Sequence, residues 1–471
     1  MKKLNPLFDT DSYKVSQFAQ YPKGTNKIYS YFESRLGEGF EKVVFFGLQY
    51  IIKNTLLNRI THEDVDFAKK FFNAHMGVFN EEGWRYIVDT HDGYLPLQIK
   101  AVPEGTVLSR GNVLVTIEST DPNVPWLPQY VETIIVRNWS MINVATISYQ
   151  MKLILLNAFE KTSDSLTPKQ DVLFKLHDFG SRGTYSQEAA GIGGMSHLIN
   201  FLGSDTVAGI LYARDTYNTE EMLAYSIPAT EHSSTTSWGQ KGEKDAFENM
   251  IKTYGGKTPF LAMVADSYDL EYAVKEIIGV QLKDLIINCG STVVVRPDSG
   301  EPKESVLNCL KWLSDAFGYT VNSKGYKVLP SCIRVIQGDG ITMESLPNIV
   351  NFIVANGFSI DNIAFGMGGG LLAKHDRDTF RFAQKCSYIE INGVGSDVRK
   401  IPKTDMTKAS KGGKLKLVLR DNEYFTVKDD GRNLEDDQLK VVYFYNKKFG
   451  HTKPLFNEYT FESIRQRTGT W

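Results

Sequence analysis

Seven short β-rich runs ending between residues 178 and 370 each end in charged, polar or glycine residues, and most lead straight into a helical stretch. Their ends read Leu176-His177-Asp178-Phe179-Gly180-Ser181-Arg182, Ser204-Asp205-Thr206, Glu231-His232-Ser233, Ala265-Asp266-Ser267, Arg296-Pro297-Asp298-Ser299-Gly300, Gln337-Gly338-Asp339-Gly340 and Gly366-Met367-Gly368-Gly369-Gly370. They recur roughly every 32 residues, the length of one βαβ repeat. That spacing predicts a (β/α) barrel, in which the loops after the strand C-termini converge on one face and carry the catalytic groups. The charged residues lie at those ends.

The flanks read differently. Residues 1–128 mix short strands and helices, with a β-meander from Leu95 to Glu118 turning at Glu104-Gly105 and Arg110-Gly111-Asn112. Apolar spacing from Tyr130 to Ala158 predicts a joining helix, against a run of β-branched residues in its first half. Strand-like alternation returns in Lys414 to Leu419 and Lys440 to Tyr445, beside a lysine-rich loop from Lys400 to Lys416. The predicted fold is therefore α/β: an irregular (β/α) barrel over 129–397, with an additional α+β domain formed by 1–128 and the C-terminal segment 398–471.

Among 471 residues, 53 Lys and Arg stand against 55 Asp and Glu, a net charge of −2 that offers nothing to attract a polyanion. Nucleic acid is excluded as a first-choice partner. No apolar run approaches the ~18 residues that read as a membrane span, and Pro6 and Asp9 interrupt any signal-peptide core. Cys289, Cys309, Cys332 and Cys386 have no CxxC spacing, which predicts reduced thiols and a cytoplasmic location.

Two glycine segments invite comparison with phosphate motifs. Gly191-Ile192-Gly193-Gly194-Met195-Ser196 fails the dinucleotide pattern because Ser196 occupies the third glycine. Gly366-Met367-Gly368-Gly369-Gly370 lacks a P-loop ending, but it follows a strand and opens a turn of helix, where backbone N–H groups can hold phosphate; the alternative is a plain tight turn. Asp298 and Asp339 are candidates for gripping a sugar diol, with adjacent Arg296 answering phosphate charge; either aspartate could instead cap the next helix. His232 can be an acid, a base, a phosphate contact or a nucleophile toward phosphate, or a structural residue. His177, within a strand, reads as core.

Thr10-Asp11-Ser12-Tyr13-Lys14, Tyr31-Phe32-Glu33-Ser34-Arg35, Ala101-Val102-Pro103-Glu104-Gly105 and the strand ends quoted above, taken together and in this order, closely resemble the nicotinamide phosphoribosyltransferases from about residue 7 to the C-terminus. The resemblance implies a homodimeric type II phosphoribosyltransferase that makes nicotinamide mononucleotide and pyrophosphate from nicotinamide and phosphoribosyl pyrophosphate (PRPP), with active sites at the subunit interface. It implies that Phe179 of one chain and Tyr13 of the other sandwich the pyridine ring, and that Asp205 accepts from the carboxamide. Asp298 and Asp339 would hold the ribose hydroxyls, with Gly338, Gly369 and Arg377 near the nucleotide phosphate. Arg182, His232 and Arg296, with Pro297 beside it, would face the diphosphate, helped by Lys385, Lys400 and Arg35 from the partner chain. His232, Asp298 and Asp266 form the implied catalytic set. ATP would phosphorylate His232, and Mg2+ would ride on the pyrophosphate, with no metal-ligand set legible in the sequence. Ser181 departs from the family's usual aromatic residue, which places local packing in question.

The chemistry agrees with these residue types. Loss of pyrophosphate from the sugar builds positive charge on the ribose and negative charge on the leaving group, so cations are needed at one end and carboxylates at the other. The pyridine nitrogen attacks with a free lone pair, so no general base is required. Two alternatives stand beside this reading: a nicotinate phosphoribosyltransferase of the same fold, and a silent PRPP or pyridine-nucleotide sensor.

Overall fold

The computed structural model describes residues 5–401, 403, 409–432 and 434–471, which fall into two compact units. One comprises 1–146, 215–219 and 375–469; the other comprises 147–214, 220–374 and 470–471.

The second unit is the barrel. Six parallel strands run in the order Gly203–Ser204, Leu176–Asp178, Ile363–Met367, Ile333–Gln337, Thr292–Arg296, Phe260–Val264. Their sequences explain their state: Thr292–Arg296 is Thr-Val-Val-Val-Arg, β-branched throughout its centre and buried there. Helices return the chain between strands. Pro302–Phe317, with Pro at its first position, turns Val306, Leu307, Leu310 and Leu313 inward at three- and four-residue spacing and stops at Gly318, whose φ is +77°.

The two outer strands are joined through the segment 225–229. Tyr225 bridges to Gly203 and Ala229 to Ala262, both parallel. The Ser204 N–H donates to the Tyr225 carbonyl at 3.1 Å and the Ala262 N–H to the Pro228 carbonyl at 2.9 Å. The strand expected before His232 is therefore present only as two bridges. Pro228 has no N–H to give a ladder, so the ring closes irregularly.

A layer of Ala262, Val294 and Ile336, with Phe179, Ile227 and Ala364 packed against it, crosses the barrel interior. Beneath it lies a cavity of about 960 Å³ reaching toward the strand N-termini and lined by His177, Tyr225, Arg334 and Asp361 among others. Lys175 closes part of its wall by donating to the carbonyls of Ile360, Asp361 and Ile363 at 3.2, 3.1 and 3.1 Å, and burial draws its amine down to about 8. His177 lines this space, and burial lowers the pKa of its imidazole.

The first unit is built on a seven-stranded antiparallel sheet ordered Val394–Asp397, Phe382–Ile391, Thr25–Ser34, Val113–Ser119, Leu97–Ala101, Lys440–Phe444, Leu455–Phe456. N- and C-terminal segments thus share one sheet. The boundaries differ from 128 and 397: Phe382–Ile391 pairs along nearly the whole of Thr25–Ser34, which draws it out of the barrel segment. The meander is also different, because Val107–Ser109 pairs with Lys42–Val44 while Leu97–Ala101 pairs directly with Val113–Ser119. The joining helix runs from Trp139 to Thr162, preceded by the short pieces Leu127–Tyr130 and Glu132–Val136. Residues 402 and 404–408 of the lysine-rich loop lie outside the described residues. No helix among the described residues is long and apolar enough to cross a membrane.

Candidate active site

Strand C-termini of the barrel bring Phe179, Asp205, Asp266, Arg296, Asp298, Gly338, Asp339 and Gly369 to one end. The centre of this end is Phe179. Its ring lies so close over the neighbouring strand that a Cβ on Gly366 would stand 2.0 Å from its Cε2, and one on Gly338 would stand 3.2 Å away. Both positions need glycine because a ring occupies the side-chain space. The Arg296 guanidinium lies 5.5 Å from the ring centroid, a cation–π distance.

Arg296 is itself held in a fork. Its Nε and Nη2 each donate to an oxygen of Asp298 at 2.8 Å. Pro297 between them is buried and fixes the backbone, so the pair is a rigid unit. Each Asp298 oxygen keeps a further lone pair and Arg296 keeps further N–H groups.

His232 opens the short helix His232–Thr236 and is half-exposed, while Asp266 is almost fully buried; His232 Nε2 lies 2.8 Å from Asp266 Oδ1. A carboxylate only accepts, so Nε2 is the donor of this bond. Glu243 is buried nearby, and burial, with the charges of Asp269 and Asp266, raises its carboxyl to about 7.

Asp205 follows the strand Gly203–Ser204. Its N–H donates to the Asp178 carbonyl at 2.9 Å, and Ser226 Oγ donates to its Oδ1 at 2.5 Å. Ser226 was not legible as a site residue, because Asp205 is 21 positions away and the two meet only where Tyr225 bridges to Gly203. The glycine loop folds against the turn after Phe179: a Cβ on Gly183 would lie 3.5 Å from Gly369 Cα. Only one turn of helix, Gly369–Leu372, follows it. Arg182 is exposed in the 3-10 turn Ser181–Gly183, and so is Ser181, so the missing aromatic leaves no hole in the barrel. Gly191 and Gly194 serve packing in the helix Gln187–His197, where Gly194 faces Gly209 backbone to backbone.

The remaining candidates sit in the sheet unit. Lys385, on Phe382–Ile391 opposite Tyr31, has its amine pushed down by burial; Glu132 opposes this, and the charges of Arg35, Lys14 and Arg377 add to it. Arg377, expected with Gly338 and Gly369, thus belongs to a cation group with Arg35 and Lys385 in the other unit. Lys400 is exposed, its N–H donating to Ser410 Oγ at 2.8 Å. Tyr13 is 60% exposed. Next to it, Ser12 Oγ lies 2.8 Å from His75 Nε2, and His75 continues an outward row of rings with Phe71 and Phe67. Among the described residues no three His, Cys, Asp or Glu side chains converge to hold a metal ion.

Residues 174–447 match the nicotinate phosphoribosyltransferase (NAPRTase) family, and residues 5–99 match the N-terminal domain described for nicotinamide phosphoribosyltransferase. A Xanthomonas campestris pv. campestris protein named nicotinamide phosphoribosyltransferase is 50% identical over 414 residues, covering 88% of this chain and 87% of its own. An Acinetobacter baylyi protein of the same name is 32% identical, covering 99% and 97%. The solved nicotinate-nucleotide pyrophosphorylase of Pyrococcus furiosus superposes with a TM-score of 0.59 at 16% identity over 98% of this chain and 93% of that one, a likeness of fold.

Proposed function

The chain belongs to the nicotinate phosphoribosyltransferase family, and from that premise we propose that it transfers the 5-phosphoribosyl group of PRPP to nicotinamide, releasing nicotinamide mononucleotide and pyrophosphate in NAD salvage. The observation that carries the reading is the convergence of an aromatic platform, a carboxylate for the ring substituent and a forked Arg–Asp pair at one barrel mouth.

In this reading the pyridine nitrogen of nicotinamide forms a bond to ribose C1 as the C1–oxygen bond to pyrophosphate breaks, the electron pair leaving with the pyrophosphate. No proton moves. Asp298 and Asp339 grip the ribose hydroxyls, and the lone pairs Asp298 keeps beyond the fork suffice for that. The spare N–H groups of Arg296 meet the leaving group, with Arg182 and His232, while Gly338 and Gly369 serve the nucleotide phosphate. Mg2+ bound to the pyrophosphate would offset the negative charge of the leaving group.

Arg35, Lys385, Lys400 and Tyr13 act from a second copy of the chain. The exposed row Phe67, Phe71 and His75, continuous with Ser12 and the exposed Tyr13 ring, supports a dimer, because apolar patches of this kind mark interaction surfaces.

ATP couples through His232. Its Nδ1 attacks the γ-phosphorus, ADP leaves, and Asp266 holds the Nε2 proton and balances the imidazolium charge. Native enzyme given nicotinamide and PRPP should form the mononucleotide and pyrophosphate, and ATP should be hydrolysed and should raise kcat/KM. His232→Ala should lose the ATPase and the stimulation together. A variant that hydrolyses ATP at the native rate would remove the phosphohistidine role and leave the transferase reading standing, whereas absence of product from the native chain would remove the latter.

Gly366→Ala tests the platform. The new methyl group claims the space of the Phe179 ring, so the ring must turn out of its plane. Nicotinamide KM should rise about 10- to 100-fold, the effect of an ångström-scale displacement at a reacting centre. Steady-state kinetics with saturating PRPP reads it, and an unchanged KM means Phe179 does not stack on the base.

A further inference from the structure

The Asp178 side chain has no role so far. It is 0% exposed, immediately precedes Phe179, and stands opposite Ser204 in the parallel ladder, next to Asp205. Its Oδ1 accepts the Gly180 N–H at 2.7 Å and its main-chain carbonyl accepts the Asp205 N–H at 2.9 Å. One residue thus ties together the turn carrying the aromatic platform and the carboxylate that meets the ring substituent. Its Oδ2 is buried, facing Gly194, where a Cβ would lie 3.3 Å from it, and the equally buried Thr206 hydroxyl, which favours its charged form.

The Oδ1 contact that holds the Gly180 turn is one that asparagine supplies as well. The second oxygen leaves a charge in a place where water does not screen it, and such a charge acts over longer distances than one at the surface. We propose that Asp178 is a specificity-determining residue whose buried charge, behind Asp205 and beneath the Phe179 turn, adds to the rejection of a base with an anionic ring substituent while leaving a neutral carboxamide unaffected. This rests on the transferase reading above.

Burial raises the Asp178 carboxyl to about 6, with the Gly180 N–H and the Thr206 hydroxyl opposing and the Asp205 charge adding. Asp205 is the charged group that acts on it among the described residues; the facing elements contribute Gly194, Thr206 and Met367. The charge is therefore present above this value and lost below it.

The test is the ratio of kcat/KM for nicotinamide to that for nicotinate, in native enzyme and Asp178→Asn, at about pH 8 and about pH 5.5, on either side of the titration. Native enzyme should show a higher ratio at the upper pH. Asp178→Asn should lower it about tenfold there, the equivalent of one pKa unit of coupling, through a fall in nicotinate KM, and should flatten its pH dependence. If that variant does not fold, Thr206→Val keeps the charge and removes an opposing group, so the midpoint of the pH dependence should move up. A native enzyme that turns over nicotinamide while Asp178→Asn leaves the ratio and its pH profile unchanged, or a Thr206→Val midpoint that stays in place, overturns the inference alone. Failure of the native chain to make mononucleotide from either base overturns the activity reading and the inference with it.

Discussion

Offered nicotinamide and nicotinate side by side, the enzyme should use the amide with a kcat/KM about 100-fold higher or more, and Asp205→Ser should remove most of that preference. The geometry supplies the reason. Ser226 Oγ occupies one oxygen of Asp205, and in the proposed reading Oδ2 is left to accept from a carboxamide N–H at the ring's C3 position. A nicotinate carboxylate has no proton to give and meets like charge in a partly desolvated cleft. An unpaired polar group in such a place costs about 1 to 3 kcal/mol, and repulsion adds to it. Competition between the two bases, with both mononucleotides quantified, reads the ratio directly. Equal use of both bases by native enzyme, or a ratio indifferent to Asp205→Ser, rules out this basis for selectivity and favours the nicotinate reading.

Tyr13→Ala and Asp298→Ala should each abolish most turnover alone and recover it when mixed. If Tyr13 stacks on the base as proposed, losing its ring forfeits about 2 to 3 kcal/mol of burial and stacking, roughly a hundredfold at low nicotinamide, and losing Asp298 removes the proposed ribose grip and unpairs Arg296. In a two-fold symmetric dimer with shared sites, a mixed dimer has one site with both defects and one with neither. Random reassortment should then return about a quarter of native activity. Mixed dimers verified by differential tags that show no recovery would place Tyr13 and Asp298 of a single site in the same chain. A monomeric enzyme with full activity would have the same consequence.

Much of the barrel is legible in its residues alone. Strands such as Thr292–Arg296 and Ile333–Gln337 are short, apolar and β-branched, so local preference and burial agree, and their ends are marked by Asp and Gly. The segment 225–229 was less legible because a strand with Pro228 and only two bridges carries almost no periodic signal. In the sheet unit, strand existence was visible and partnership was not. Val107–Ser109 and Phe382–Ile391 have ordinary strand composition, and their pairing with Lys42–Val44 and Thr25–Ser34 is set by contacts across long stretches of chain.

What the sequence determined by itself is the inventory: which residue types stand at the ends of which strands, since periodicity and turn chemistry are local properties of neighbouring residues. Tertiary structure alone decided the relations among them. It put Gly338 and Gly366 against the Phe179 ring, forked Arg296 onto Asp298, set Ser226 on Asp205, and buried the second oxygen of Asp178 against Thr206 and Gly194. Gly366 and Phe179 are 187 positions apart and nothing local in either announces the other. A glycine tells its neighbours only that it has no side chain; which ring fills the space is settled when the parallel strands Leu176–Asp178 and Ile363–Met367 pair in register.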